Sequence, residues 1–564
     1  METSLESQFA DLGAAARKQA RISLGGHFEL ESVPIELPGY VESWRVKVAT
    51  KRADHLTISV TAQFPFELPT VFVEKNLFGV VPHIDQRGEL CYCDKATSTY
   101  DPLDIGDVVL WVVERACCVL NADDERVMSD EFASEFQSYW KAPEHFLCLL
   151  DDFKTTREVE LIWLDRKYSG GYSFLACNEA EVGIRWLKQS GIGVPTVRGK
   201  ALFVPNVIPP KPPYPQTNGA LFELLLTHPK EIRTRWESFV RKEGRSTLIL
   251  STVSSSRGEA LLAWRHTRLP PNYSKPSQNT VNGFRPGKHP IAMEMRGWGA
   301  NAQLTRFRGD RVDLTRLVHR TTGSQTEPGF KHLVIIGVGS IGSHLLLALA
   351  KSHHFERMML IDPELLKVEN VLRHAAGFDQ VSRPKAKVMG ELIGRHCPWA
   401  TIEFIEGDIL NNIQSLPELA ETADLFVLAT GNEVIEKAVI PLIMKLCQPR
   451  TAIHRVWLTT NAEKGQLVRF VVGEKGCPDC DEEIHEPRNP GSIIYEPGCS
   501  AGFGQFGGSR LQRFVALCCD AILKPVDSPY RLKWTARPQE ETSEQDGVEI
   551  EDIMRVEACA RCGE

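Results

Sequence analysis

Residues 331–395 constrain this chain more than any other stretch, because they set a fixed rhythm of glycines behind an apolar run. His332–Ile336 reads as a short, buried parallel strand. Gly337, Gly339 and Gly342 follow in G-x-G-x-x-G spacing, residues 343–351 form an apolar helix, and a second apolar run ends at Asp362. Strand, glycine turn, helix and a strand ending in an acid make the opening βαβ unit of a doubly wound nucleotide-binding sheet. The glycines let backbone N–H groups approach a phosphate, and the helix N-terminus favours its charge. Asp362 is placed to take a ribose hydroxyl. Alone, this pattern selects a nucleotide, with NAD or FAD as the default. Asn370 and Arg373, in the order N-x-x-R, and Lys385, in R-P-K-A, follow within 23 residues of Asp362. A dehydrogenase has no general need for two cations there. An enzyme that handles a triphosphate does, since they meet phosphate charge as it rises in the transition state.

With those residues the stretch resembles the adenylating domain of ubiquitin-activating enzymes and of their ThiF-type bacterial relatives in thiamine and molybdenum-cofactor synthesis. The resemblance implies ATP and Mg²⁺, held at Gly337, Gly339, Gly342, Asp362, Asn370, Arg373 and Lys385, and a homodimer formed through this domain. One position departs from the pattern. Residues 423–430 read as the next central strand, but Gly431-Asn432 stands where the family has an Asp for magnesium. Asp362 and Asp408 remain as acids for the metal, or the domain adenylates poorly. Relatives often send an arginine from before the glycine loop into a partner's ATP site. Arg316 and Arg320 are candidates, against the plainer reading of a solvated helix face.

Cys477-Pro-Asp-Cys480 and Cys559-Ala-Arg-Cys562 are two C-x-x-C pairs. Four thiolates at this spacing suit a tetrahedral structural Zn²⁺. Cys499 sits among small, glycine-rich neighbours that leave a thiol accessible. In the activating family the catalytic cysteine follows the first zinc pair, so the match falls on Cys499. The bland alternative is a loop cysteine with no task. Cys518 and Cys519 lie in an apolar helix and read as core. Residues 540–552 carry seven acids and no base and read as a solvated loop.

The first 150 residues follow another plan. A helix over residues 5–20 precedes three alternating stretches at 27–37, 44–50 and 55–64, which predict an antiparallel meander. A loop with Cys91 follows, then an apolar helix over 107–120 and another over 129–140. This order resembles the ubiquitin-conjugating fold. Pro82, His83, Gly88, Leu90 and Cys91 fall in the register of that family's H-P-N, Gly and catalytic Cys, with Cys91 eight residues after His83. Cys91 is therefore the matched nucleophile. His83 replaces the family's Asn, which orients the loop or supports an oxyanion; a histidine can donate the same bond and can titrate near neutral pH. Cys93 shares the face of Cys91 on an extended segment, so alternation does not separate them. Both could instead be buried apolar cysteines. Cys117 and Cys118 read as helix core.

The middle, 151–320, says least. Strands are predicted at 159–165, 172–176, 247–253 and 260–265 and a helix at 221–243, with a proline-rich linker at 201–215 and a loop at 266–290. The region reads as a connecting domain, with a degenerate adenylating-like fold as an option. A net charge of −8 leaves no basic footprint for nucleic acid. No apolar run reaches the ~18 residues that cross a membrane. Without a signal segment, fifteen cysteines point to thiol and metal chemistry in a reducing cytoplasm.

The sequence thus predicts a multidomain α/β and α+β chain: an N-terminal ubiquitin-conjugating-like fold (1–150), a central linker domain (151–320) and a C-terminal doubly wound adenylating domain with structural zinc (321–564). Conjugating and activating modules in one chain resemble the bacterial fusions of CBASS anti-phage operons. That resemblance implies adenylation of the C-terminus of a cGAS/DncV-like nucleotidyltransferase, relay through Cys499 and Cys91 thioesters, and conjugation to an amine on a target, which primes second-messenger synthesis. A sulfur-carrier-type adenylyltransferase and a catalytically weak binding scaffold are the alternatives.

Overall fold

A computed structural model describes the chain except residues 1–4, 36, 96, 166, 194, 244–245, 268–289, 322–328, 460, 475, 481–492, 496–501, 505, 525–527, 538–545, 555, 558 and 560–564. It divides into two compact units, one of residues 1–180 and 196–312, the other of 181–195 and 313–564.

The first unit opens with helix α1 (Leu5–His27) and an antiparallel sheet of β1 (Leu30–Ser32), β2 (Tyr40–Lys47), β3 (His55–Thr61), β4 (Thr70–Phe72) and β5 (Glu89–Leu90), in that spatial order. Helix α2 (Ile105–Asn121) buries Val109, Val112, Val113, Ala116 and Leu120, a stripe at three- and four-residue spacing. That stripe meets Ala16, Ala20 and Leu24 of α1 and Trp44, Ile58 and Val60 of the sheet in one core. The same stripe corrects the reading of two cysteines, since it turns Cys118 to solvent and leaves Cys117 half-buried. The single helix expected at 129–140 is two, α3 (Glu125–Ser134) and α4 (Phe136–Trp140). Asp124 caps α3 through the amides of Arg126 and Val127. The break falls at Glu135, whose φ of −99° and ψ of 10° leave the helical region.

Seven further strands close into a barrel: β6 (Glu144–Cys148), β7 (Arg157–Leu164), β8 (Tyr172–Cys177), β9 (Pro195–Phe203), β10 (Ser246–Ser255), β11 (Gly258–Thr267) and β12 (Thr305–Arg311). Helix α5 (Ala180–Ser190), between β8 and β9, belongs mostly to the second unit. The barrel is filled by Phe146, Phe174, Phe203, Phe307 and aliphatic neighbours, so it is a packed core. Two helices, α6 (Asn218–Leu226) and α7 (Lys230–Glu243), stand where one was expected, and with α8 (Ile291–Arg296) they cover its outer face around Trp140, Trp236 and Trp264. The degenerate adenylating-like option is thereby overturned. A barrel closed by β10 pairing parallel to β9 and antiparallel to β11 is not an open parallel sheet. Residues 201–215 are also no free linker, because Leu202, Val204, Val207, Ile208 and Tyr214 are buried in that outer core.

Besides most of α5, the second unit contains α9 (Leu314–His319) and an eight-stranded sheet. Its parallel strands are β13 (His332–Ile336), β14 (Arg357–Ile361), β15 (Thr401–Ile405), β16 (Leu425–Leu428) and β17 (Ala452–Leu458), ordered in space β15-β14-β13-β16-β17. Chain order reverses between β13 and β16, and ligands of open α/β sheets bind at that switch point. Helices α10 (Ser340–Ser352) and α11 (Lys385–His396) cover one face, and α12 (Leu416–Thr422) and α13 (Glu433–Leu446) the other. β18 (Lys464–Val471) continues the sheet antiparallel, a two-stranded ribbon of β19 (Ile493–Tyr495) and β20 (Gly502–Gly504) follows, and α14 (Gly508–Leu523) joins the face of α10. β21 (Tyr530–Thr535) and β22 (Gly547–Asp552) complete the edge. The acidic stretch expected to be loop is partly this edge strand. Its six residues are all exposed, and acids on an open edge discourage pairing with another chain.

Candidate active sites

In the first unit β5 ends at Leu90, and the next residue, Cys91, is exposed. Its amide donates to the His83 carbonyl (2.7 Å), so the eight-residue spacing is a closed loop. The Cys91 thiol points to the Cys93 carbonyl (3.4 Å). Tyr92 is buried while Cys93 is half-buried, the alternation of an extended segment. Surrounding atoms partly desolvate the Cys91 sulfur and push its pKa up, and the Glu135 carboxylate adds to the effect. Charge on this sulfur is disfavoured, and an uncharged thioester there would escape that penalty.

His83 lies in the left-handed region, at φ +67°. Its ring does not face open solvent. Nδ1 lies 2.7 Å from Glu135 Oε1, and Nε2 lies 3.3 Å from Glu131 Oε2. Its backbone N–H donates to the Tyr139 hydroxyl (2.6 Å), which donates to Glu135 Oε2 (3.0 Å). Burial opposes charge on the ring, yet the Glu135 hydrogen bond and the charges of Glu135 and Glu131 outweigh it, and the pKa is raised. Glu135, Glu131 and Tyr139 were not foreseen. They lie 48 or more residues from His83 along the chain, and no local pattern joins them.

In the second unit Gly337 ends β13 with φ +89°, and its amide donates to the Ile361 carbonyl (2.8 Å). A Cβ on Gly342 would stand 2.0 Å from the Gly337 carbonyl oxygen, so only glycine lets α10 start this close. Around Gly339, at the helix N-cap, a Cβ would meet nothing within 4 Å. Asp362 is buried and accepts from the amides of Val338 (2.8 Å) and Glu364 (2.8 Å). Burial pushes its carboxyl up, against the pull of those amides and of Lys385. Lys385 opens α11, is buried, and pairs with Glu364, whose pKa it lowers. Arg373 lies over the Phe506 ring at 5.3 Å. Asn370 accepts from the Lys367 amide (3.2 Å) and so shapes its own turn.

His374, directly after the N-x-x-R residues, is a further part. Its Nε2–H donates to the Val338 carbonyl (2.9 Å), its Nδ1 accepts from the Ala376 amide, and burial lowers its pKa to about 4. A neutral imidazole with a fixed tautomer thus braces the glycine loop.

Gly431 follows β16 with φ +65°. Behind it Thr430 donates to Glu436 (2.6 Å), which pairs with Arg455 (2.6 Å), a buried network already satisfied. Asp408 follows β15, the strand beside β14, and accepts from the Leu410 amide (2.8 Å). Arg316 is half-buried on α9 and Arg320 exposed at its end.

Cys477, Cys480 and Cys559 converge, all buried, with sulfurs within 4.8 Å of one another. Cys477 Sγ is 3.9 Å from Cys480 Sγ and 3.4 Å from Cys559 Sγ. Thiolates around zinc at ~2.3 Å stand about 3.8 Å apart, so the three fit a tetrahedral zinc. Cys562 and Cys499 lie outside the described residues. Cys518 and Cys519 are buried in α14.

Residues 40–147 match the prokaryotic E2 family B, and residues 321–518 match the ThiF family. The chain joins a prokaryotic E2-type domain to a ThiF-family domain. Among curated proteins it is 24% identical to the "ATP-dependent ubiquitin transferase-like protein Cap2" of Pseudomonas aeruginosa, over 82% of this chain and 84% of that one. It is 24% identical to "Uncharacterized protein y4oA" of Sinorhizobium fredii, over 32% of this chain and 31% of the other. Among solved structures, E. coli MccB with ATP aligns at a TM-score of 0.33 and 21% identity, covering 41% of this chain and 67% of that one. The two family matches and the Pseudomonas relative support ubiquitin-like activating and conjugating function. Among the described residues no helix is long and apolar enough to cross a membrane.

Proposed function

We propose that this chain activates the C-terminal carboxylate of a partner protein with ATP and passes it, through thioesters on Cys499 and then Cys91, to an amine on a target. The observation that carries the reading is Cys91 itself: an exposed thiol whose amide is docked on His83, in the same chain as a glycine loop backed by Asp362 and Lys385. A carboxylate oxygen attacks the ATP α-phosphorus, and pyrophosphate leaves with its electron pair. Lys385 and Arg373 offset charge on the phosphates and Asp362 takes the ribose. The Cys499 thiolate attacks the acyl carbon and AMP leaves. Cys91 then attacks the thioester and frees Cys499, and an amine finally displaces the Cys91 thiolate as an amide forms. Dividing one acylation into thioester steps is nucleophilic catalysis, at which cysteine is intrinsically strong.

The partner we favour is a cGAS/DncV-like nucleotidyltransferase, with conjugation priming anti-phage second-messenger synthesis. The ubiquitin transferase-like name of the Pseudomonas relative supports a protein substrate, and the nucleotidyltransferase rests on the resemblance of the two fused modules to CBASS proteins. Cys477, Cys480, Cys559 and Cys562 would hold Zn²⁺ as a structural clasp. Mg²⁺ would accompany ATP, with Asp408, which follows the strand beside that of Asp362, as the acid. Exposed Leu365 (51%), Val368 (60%), Leu372 (89%) and Phe378 (65%) beside the nucleotide loop support a homodimer through the adenylating domain.

Gly431 favours a second reading, a scaffold that binds without adenylating. The experiment is a non-reducing gel of the full chain with ATP, Mg²⁺ and a DncV-type nucleotidyltransferase. A thiol-sensitive adduct that is lost with Cys499→Ala, and stays on Cys499 with Cys91→Ala, is the expected result. Conjugation that persists with Cys91→Ala would sink the relay. Absence of both adduct and ATP–pyrophosphate exchange would leave the scaffold.

A further inference from the structure

The carboxylates around His83 reach beyond the E2-type domain, and the middle barrel holds one of them. Arg257, in the β10–β11 turn, reaches both oxygens of Glu131, each at 3.2 Å. The neighbouring Ser256 donates its amide to Asp130 (2.7 Å) and its hydroxyl to the other Asp130 oxygen. Helix α3 is thus fastened to a barrel hairpin on one side while Glu131 faces His83 on the other.

We propose that Glu135 and Glu131 are positioning residues for acyl transfer at Cys91, clamping both ring nitrogens of His83 and so fixing the carbonyl on which Cys91 is docked. The inference rests on the reading that Cys91 carries the acyl group. Four observations bear on it. A neutral imidazole has one N–H, and here a carboxylate stands at each ring nitrogen (2.7 and 3.3 Å), so both are satisfied only by the doubly protonated ring. The His83 backbone is in the left-handed region, which a side chain other than glycine rarely adopts without support. Its N–H is held by Tyr139, itself held by Glu135, so one carboxylate grips both backbone and ring. The carbonyl between those grips receives the Cys91 amide at 2.7 Å.

The groups that face His83 are Glu135 and Tyr139 at and after the helix break, Glu131 on α3, and Arg257 from the barrel turn. Arg257 opposes charge on the ring but steadies Glu131, and the two carboxylates prevail. Around Cys91 stand Glu135, Cys93, Lys95 and Asp94. The raised pKa of His83 keeps the clamp whole below pH ~6.5 and loosens it as pH rises through the folded value.

The test is hydrogen–deuterium exchange at the Cys91 amide of the full chain between about pH 6 and 9, corrected for the intrinsic rate. It needs neither ATP nor a modifier. Protection is expected to fall about tenfold as His83 loses its proton, the cost of one charge-assisted hydrogen bond. Glu135→Gln should move that fall to lower pH. In a His83→Asn background the profile should be flat, and Glu135→Gln should then change protection less than about twofold, since its effect runs through the ring. If Glu135→Gln does not fold, Glu131→Gln, which keeps the Glu135–Tyr139 bond, carries the same expectation. A flat wild-type profile, or an equal effect of the Gln variant in both backgrounds, overturns the clamp and leaves the thioester reading standing. A clamp that behaves as expected in a protein that never forms a Cys91 adduct would overturn only that reading.

Discussion

The amide of Cys91 and the carbonyl of His83 meet at 2.7 Å, beside an isolated bridge between Ile84 and Leu90. The seven residues between the two are therefore a folded unit whose ends touch, and the position of the thiol is set by the backbone of the histidine. Cys93, two residues on, is half-buried and has no such tie to His83 among the described contacts.

Cys91 and Cys93 should accordingly separate in function. Cys93→Ala is expected to keep the thiol-sensitive adduct of the conjugating site within about threefold of wild type, and Cys91→Ala to abolish it, since no other group supplies the nucleophile. Mass spectrometry of the adduct peptide under non-reducing conditions decides between them. An adduct that survives Cys91→Ala and disappears with Cys93→Ala would reverse the assignment.

Tyr139→Phe removes one oxygen and strands the His83 N–H in a half-buried place, where an unmet donor costs about 1–3 kcal/mol. A lower Tm is expected, with the loss largest at acid pH. The sign follows from the histidine. A group whose pKa is raised on folding stabilises below its unfolded value near 6.5 and loses that contribution as pH rises through the folded value. The difference in Tm between wild type and variant should therefore shrink above neutrality. A difference that is constant from pH 6 to 9 would show the hydroxyl to be uncoupled from the ring.

Which parts were legible in the sequence follows from how local each is. The glycine loop, Asp362 and Lys385 lie within one βαβα run, where spacing alone fixes the local fold, and the parallel sheet follows from that run. The register from Pro82 to Cys91 was legible for the same reason. Glu135, by contrast, meets His83 from 52 residues away, at a break in what periodicity presents as one continuous helix. Alternation in the middle region revealed strands but not their partners. A barrel that closes by pairing β12 with β6 across more than 150 residues leaves no short-range trace. His374 gave a signal, adjacent to Arg373, but a lone histidine there is ambiguous until its bond to the Val338 carbonyl is seen.

Lys385→Ala should lower ATP–pyrophosphate exchange by about a hundredfold or more, the usual range for losing one preorganised charge at a reacting phosphate. The ammonium is almost fully buried, and Glu364, its partner, is the exposed member. Glu364→Gln should therefore cost far less, because it releases the cation without removing it. Equal losses in both variants would mean that the pair acts only as structure.

The three converging thiolates predict about one zinc per chain by elemental analysis. Cys477→Ser should lose the metal and lower the Tm of the second unit, since metal binding free energy is folding free energy at such sites. A strong chelator should do the same to the wild type, and added zinc should restore it. Full thermal stability of a zinc-free wild-type protein would leave these cysteines as ordinary core.

Gly431 offers the sharpest test of the adenylating domain. A Cβ there would meet nothing within 4 Å, so a side chain has room. The φ of +65° is one that aspartate tolerates better than most residues, at a cost of order 1 kcal/mol. Gly431→Asp should therefore fold, with a small fall in Tm. It would return a carboxylate to the end of β16, across the switch point from the glycine loop on β13. If metal-bound ATP sits at that switch point, the Mg²⁺ concentration that half-saturates pyrophosphate exchange should drop, by about tenfold for one added carboxylate ligand. The alternative has its own signature. Should the exchange rate and its Mg²⁺ dependence both stay unchanged in a folded Gly431→Asp, the metal is held on the other side of the site, and Asp408→Asn, at the end of β15, should then be the variant that loses it.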